Sequence, residues 1–144
     1  MLYFAYGSNM SRAVMARHCP DACALGTACL DGWQYCIMRG GYGSIAPRRN
    51  SSVHGVLWRL ARGDVARLDA YEEVARGLYF RRRLLVRHAG RRVRALVYVG
   101  RRAGKDRPLP GYQDGIVIPA AAYWKLPASY LRELRRWSDR ENPP

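Results

Sequence analysis

Tyr6-Gly7-Ser8-Asn9 sets a phenol, a residue that lets a ligand approach the backbone, a hydroxyl and an amide in four consecutive positions. Where a short apolar stretch stops at such a loop and restarts as a helix, several backbone N–H groups point into one small space beside a helix N-terminus. That arrangement suits an anion, either a carboxylate or an oxyanion. The second group of interest is Glu72-Glu73, at the end of an amphipathic stretch and followed by Gly77 and Tyr79. Two successive residues cannot both follow the exposed face of a helix, so one of the pair can turn inward. A carboxylate drawn into an apolar pocket holds its proton more tightly, which a general acid and base working near neutrality requires. For each segment taken alone, an ordinary turn and a solvated acidic pair are the plain alternatives.

Cys19, Cys23, Cys29 and Cys36 form the third cluster. Structural zinc sites repeat ligand pairs two to four residues apart, and only Cys19 and Cys23 approach that spacing, with His18 as an improvised addition. The four are therefore expected to be buried reduced thiols acting as small hydrophobes, with no metal site among them.

The elements that must position these groups can be read from periodicity and turn chemistry. Residues 2–5 form a short apolar strand, broken by Gly7-Ser8-Asn9, and Ser11 caps a helix over 11–18 that ends before Pro20. Residues 23–30 and 33–38 are expected strands joined by an Asp31-Gly32 hairpin turn, followed by a flexible loop at 40–43. Residues 53–60 alternate as a strand, with His54, Val56, Trp58 and Leu60 as the core face. Val65, Leu68 and Tyr71 lie at helical spacing over 62–71. Strands over 78–87 and 93–99 meet across His88-Ala89-Gly90, and 101–110 is an exposed connection. The last third is helical over 112–125, kinked or begun at Pro119, and again from Leu126-Pro127 to Trp137. This order predicts an α+β domain on a closed or nearly closed, mostly antiparallel sheet.

With 144 residues, the chain has the size of one domain, placed here at 1–140 with a short tail at 141–144. Its apolar residues are spread along the chain, so neither a disordered tail nor a membrane span is indicated. Met1 to Ala5 have no basic stretch before them and no long hydrophobic segment after them, so cytoplasmic residence is expected. The net charge of +14 comes almost entirely from arginine, the only lysines being Lys105 and Lys125. Arg12, Arg17, Arg48, Arg62, Arg76, Arg81, Arg92, Arg101 and Arg135 are scattered among acidic residues, whereas a binding arm is a concentrated block. No specific nucleic-acid partner is expected from that distribution, and oligomeric state is not written in the sequence.

Taken together and in order, the segments resemble a known family. Tyr3-Phe4-Ala5-Tyr6-Gly7-Ser8-Asn9-Met10 is similar to the signature loop of the gamma-glutamylcyclotransferases and their AIG2-like relatives. Gly55-Val56-Leu57-Trp58 resembles the family's central strand, and the run from Leu68 to Tyr79 resembles its catalytic helix-to-strand junction. Pro110-Gly111-Tyr112 precedes a helix as in the family, so the resemblance covers nearly the whole chain.

The resemblance implies a small mixed barrel flanked by helices, a cavity between loop and glutamate, and no metal or organic cofactor. It further implies that the α-amine of a small γ-glutamyl compound attacks its own δ-carbonyl, giving 5-oxoproline and a released amine or amino acid. Glu72 matches the catalytic acid and base. Tyr6, Gly7, Ser8 and Asn9 match the loop that holds the substrate carboxylate and the developing oxyanion, and Tyr79 and Tyr112 match tyrosines lining the cavity. For Tyr79 and Tyr112 alike, a core aromatic with a satisfied hydroxyl is the plain alternative. The family usually has glycine directly after its catalytic glutamate, where this chain has Glu73. The rival functions are a small-molecule binding domain of the same fold and a basic nucleic-acid-associated protein.

Overall fold

Residues 1–102 and 104–138 are described by a computed structural model. Five strands close into a mixed barrel: β1 (Leu2–Ala5), β2 (Cys23–Ile37), β3 (Gly43–Arg59), β4 (Tyr79–His88) and β5 (Arg91–Gly100). Their spatial order is β1-β3-β2-β4-β5, and the parallel pairing of Tyr3 with Leu96 closes the ring. All other neighbours are antiparallel. Four α-helices flank the barrel among the described residues: α1 (Arg12–His18), α2 (Asp64–Tyr71), α3 (Ile118–Tyr123) and α4 (Ala128–Arg135). The α+β class and the mostly antiparallel barrel flanked by helices are as expected. The tail expected at 141–144 lies outside the described residues. No described helix is long and apolar enough to cross a membrane.

The expected hairpin at Asp31-Gly32 is absent, because the chain runs straight through it as one strand, β2. Gly32, at φ 85°, sits instead where the register jumps from Asp31 opposite Ser52 to Trp33 opposite Pro47. A dipeptide that favours positive φ serves a bulge as readily as a turn. Reversal comes later, at Gly40 (φ 106°) and Gly41 (φ 92°), closed by Met38 N–H to Tyr42 O at 2.9 Å. Gly41 is needed there for space as well, since a Cβ would lie 2.8 Å from the backbone nitrogen of Leu109. Consequently β3 begins at Gly43, well before the expected residue 53. The second hairpin turns at Ala89-Gly90 as expected, both with positive φ, between the paired His88 and Arg91.

One hydrophobic cluster runs from Tyr3 to Leu134. Val53 and Leu57 are as buried as Val56 and Trp58, so both faces of this strand are covered, not the one face expected. The helix expected over 112–125 opens as a π-helical turn over Gln113–Val117, and Pro119 stands in the first turn of α3, where its missing N–H costs nothing. Buried Gln113 accepts from Tyr35 Oη at 2.8 Å and donates to Leu134 O at 3.0 Å, which ties barrel to α4. The cysteines are all unbridged, but only Cys19 and Cys29 are buried. Cys23 is exposed because it is the first residue of β2, and Cys36 is half-buried.

Candidate active site

β1 carries the chain into Tyr6-Gly7, which a 3-10 turn over Ser8–Met10 follows at once. Met10 N–H bonds Gly7 O and Ser11 N–H bonds Ser8 O, each at 3.0 Å. The N–H groups of Ser8 and Asn9, at the start of that turn, have no acceptor within it. Ser11 then caps α1 as expected, its Oγ accepting from Val14 N–H at 3.2 Å. Asn9 is 2% exposed, and its Nδ2 donates to Tyr3 Oη at 2.9 Å and to Glu72 Oε1 at 3.3 Å. The loop and the glutamate, 63 positions apart, therefore meet through one amide.

Glu72 follows the last residue of α2, its N–H still bonded to Leu68 O at 2.8 Å. Glu73 then takes the left-handed conformation, φ 51° and ψ 46°, which swings the chain into a 3-10 turn and back to β4. That reversal sends the two side chains apart. Glu72 enters the cavity, while Glu73, at its rim, is drawn to Arg76 Nη1 at 2.8 Å. The backbone here is one glycine adopts without cost, which gives a physical reason for the family's glycine after the glutamate. The exposed pair with Arg76 contributes little. Glu73→Gly should accordingly raise stability by about 0.5–1 kcal/mol in urea unfolding, and a clear loss would contradict this reading of the turn.

The cavity holds about 310 Å³ and is lined by Tyr3, Tyr6, Tyr42, Tyr71, Tyr79, Tyr98 and Tyr112, with Gly7, Ser8, Asn9, Gly43, Leu78 and Ile116. Several phenols are fixed by the frame. Tyr6 Oη donates to Tyr98 O and Tyr79 Oη to Gly43 O, both at 2.5 Å, and Tyr98 Oη donates to Asp69 Oδ1 at 2.7 Å. Tyr112 Oη accepts from Gly43 N–H at 3.1 Å, a bond that does not use its own proton. Burial raises the hydroxyls of Tyr3, Tyr6, Tyr79, Tyr98 and Tyr112 well above the usual phenol range, so they stay neutral donors. Burial likewise pushes the carboxyl of Glu72 up from 4.5 to about 8. Among the described residues, no cationic side chain lines the cavity to offset this desolvation.

All seven residues singled out from sequence, Tyr6, Gly7, Ser8, Asn9, Glu72, Tyr79 and Tyr112, line this one cavity. Sequence reasoning missed Tyr3, Tyr42, Tyr71 and Tyr98. Tyr71 was within reach, because it directly precedes Glu72, but its helical spacing with Leu68 suggested a core position. It is in fact 43% exposed, hydrogen-bonded to Ser8 Oγ at 3.1 Å and stacked on His18 with centroids 4.2 Å apart. Tyr98 is brought in only by barrel closure, and nothing local marks it.

Comparison with known proteins bears on the fold that carries these residues and on the family. A solved structure named gamma-glutamyl cyclotransferase superposes with a TM-score of 0.87 at 24% identity, covering 94% of this chain and 86% of that one. An uncharacterised human protein gives a TM-score of 0.87 at 24% identity, over 99% and 90% of the two chains. A yeast gamma-glutamyl cyclotransferase specific to glutathione gives 0.66 at 12% identity, over 97% and 96%. No curated protein matches the chain. The family model described as gamma-glutamyl cyclotransferase, AIG2-like, matches residues 3–125, and the chain belongs to that family.

Proposed function

We propose that the chain is a cofactor-independent cyclotransferase that turns a small γ-glutamyl compound into 5-oxoproline and a free amine or amino acid. The observation that carries this reading is the position of Glu72: a carboxyl held at about 8 by burial, within a tyrosine-lined cavity, and hydrogen-bonded to the loop through Asn9.

Near neutral pH such a carboxyl is mostly protonated while the cavity is empty. Entry of the substrate's ammonium brings an opposite charge alongside and favours the carboxylate. Glu72 then accepts a proton from the ammonium, and the freed nitrogen attacks the δ-carbonyl carbon of the same molecule. A C–N bond forms and the carbonyl oxygen takes the charge. Candidate donors to that oxygen and to the substrate carboxylate are the N–H groups of Ser8 and Asn9, the Ser8 hydroxyl and the phenol of Tyr112. Attack leaves two protons on the ring nitrogen; as the oxyanion collapses, Glu72 returns its proton to the leaving nitrogen, the bond to that nitrogen breaks, and the ring nitrogen gives its second proton to the departing amine, which leaves as an ammonium. Both reacting groups belong to one molecule, so the protein mostly holds the chain folded and relays protons from the attacking to the leaving nitrogen.

The direct test is incubation with γ-glutamyl amino acids, amines and peptides, with detection of 5-oxoproline. Release from at least one compound is expected. Saturable binding with no release from any of them would favour a non-catalytic binding domain instead.

A further inference from the structure

The expectation of arginines scattered among acids fails over one stretch of the chain. Between Glu73 and Asp106 the chain has ten arginines and no acidic residue, and this stretch is the β4–β5 hairpin with its flanks. Alternation and register put Arg81, Arg83, Leu85 and Arg87 of β4 on the same face as Arg92 and Arg94 of β5, with Arg87 directly opposite Arg92 and Leu85 opposite Arg94. Opposed like charges in a strand pair cost stability, so this face is not arranged for folding. At its Tyr98 end the face is covered by α2, where Tyr98 Oη reaches Asp69. Towards the turn it is open, and Arg83, Arg87, Arg92 and Arg94 are all exposed. Asp69 pairs with Arg81 and Asp31 with Arg87, but no described carboxylate lies within ion-pair distance of Arg83, Arg92 or Arg94.

At the turn, the array continues into a cavity of about 590 Å³ where Arg87, Arg91, Arg92 and Lys125 converge with His54 and His88. None of its lining residues is acidic. It lies at the far end of β4 and β5 from Tyr79 and Tyr98, about 30 Å along a ten-residue strand, so it is separate from the tyrosine cavity.

We propose that the turn half of the β4–β5 hairpin, with the basic cavity beside it, docks the phosphate backbone of a nucleic acid without reading its sequence. The face is made of arginine, whose planar fork takes phosphate oxygens in pairs. An anionic membrane would be better met by a face that also inserts apolar side chains, and here Leu85, 50% exposed, stands alone among arginines.

The test uses the whole chain and mixed-sequence duplex DNA and single-stranded RNA, followed by anisotropy over a salt series. Arg83→Gln, Arg92→Gln and Arg94→Gln together should weaken binding at low salt by at least about tenfold and flatten the duplex salt slope by about 2–3. The control changes Arg48, Arg62 and Arg132, also exposed, to Gln, which gives the same net charge elsewhere. It should stay within about twofold of the parent. Equal losses in both variants would reduce the effect to net charge and overturn the proposal, as would no loss in either. Phosphatidylserine vesicles binding more tightly than nucleic acid, and losing that in the hairpin variant, would assign the face to membranes and overturn it too. Phenylglyoxal labelling of the unmodified protein avoids any folding defect: bound RNA should protect Arg83, Arg92 and Arg94, and unchanged labelling would refute the docking surface.

Discussion

Replacing Glu72 with Gln should lower 5-oxoproline release by at least ~10²–10⁴-fold, the span that positioned general acid–base groups supply. Gln keeps the shape of the side chain and its contact with Asn9, but it neither takes the proton from the ammonium nor returns one to the leaving nitrogen. Glu73→Gln should cost no more than a few-fold, because Glu73 is turned to Arg76 by the left-handed backbone at that position. The loss in Glu72→Gln cannot be ascribed to unfolding. The folded carboxyl binds its proton up to about pH 8, whereas at its ordinary value of 4.5 it would ionise in the unfolded chain. The stability it contributes is therefore present at low pH and is lost as pH rises between those values. Glu72→Gln escapes that loss. Thermal melts should find it equal to the parent near the acid end and more stable above pH 8, by about 1–3 kcal/mol after allowance for solvent in the cavity. A variant that is inactive and also less stable across this range would point to a structural role. Equal turnover in both glutamate variants would remove Glu72 from the reaction.

Gly7→Val should separate binding from chemistry. A Cβ at Gly7 would lie 3.0 Å from Tyr112 Oη, and the valine methyls extend further into the cavity. Tyr112 has little room to retreat: its hydroxyl is held by Gly43 N–H, and a Cβ at Gly43 would already come within 2.9 Å of it. The crowding falls on the N–H groups of the turn that are the candidate anion donors. Affinity for a γ-glutamyl compound should drop about tenfold or more, on the order of 1.4 kcal/mol, and overpacking should cost about 1–3 kcal/mol of stability. Calorimetry on Glu72→Gln, which still binds but turns over slowly, with and without Gly7→Val, reads this directly. Unchanged affinity would mean that the loop does not hold the substrate.

Much of this site is legible in the sequence, because local chemistry fixes it. Gly7-Ser8-Asn9 breaks the apolar run of β1, Ser11 caps the helix after it, and Gly77 with Tyr79 frames the glutamates. The features that are not legible depend on distant parts of the chain. Asp31-Gly32 carries the same positive-φ preference in a bulge as in a turn, and only pairing with β3 decides between them. Tyr3 and Tyr98 reach the cavity through barrel closure, which leaves no local mark, and Tyr42 comes from the turn between β2 and β3. The acid-free run of arginines between Glu73 and Asp106 is legible in the sequence, but only strand pairing sets Arg87 against Arg92 on one face. Glu73 is the reverse case: the family's glycine points to a special backbone, and the chain adopts it with a glutamate.

The most direct test of the central claim, that Glu72 carries the proton in 5-oxoproline formation, is the pH dependence of kcat/KM for the parent and for Glu72→Gln. Because kcat/KM reports groups of the free protein and free substrate, the parent should climb with pH to an inflection near 8, set by ionisation of Glu72, before falling as the substrate's ammonium deprotonates. Residual activity in Glu72→Gln should lack that climb. A parent profile already flat across neutral pH, or a Glu72→Gln profile with the same inflection, would contradict the account.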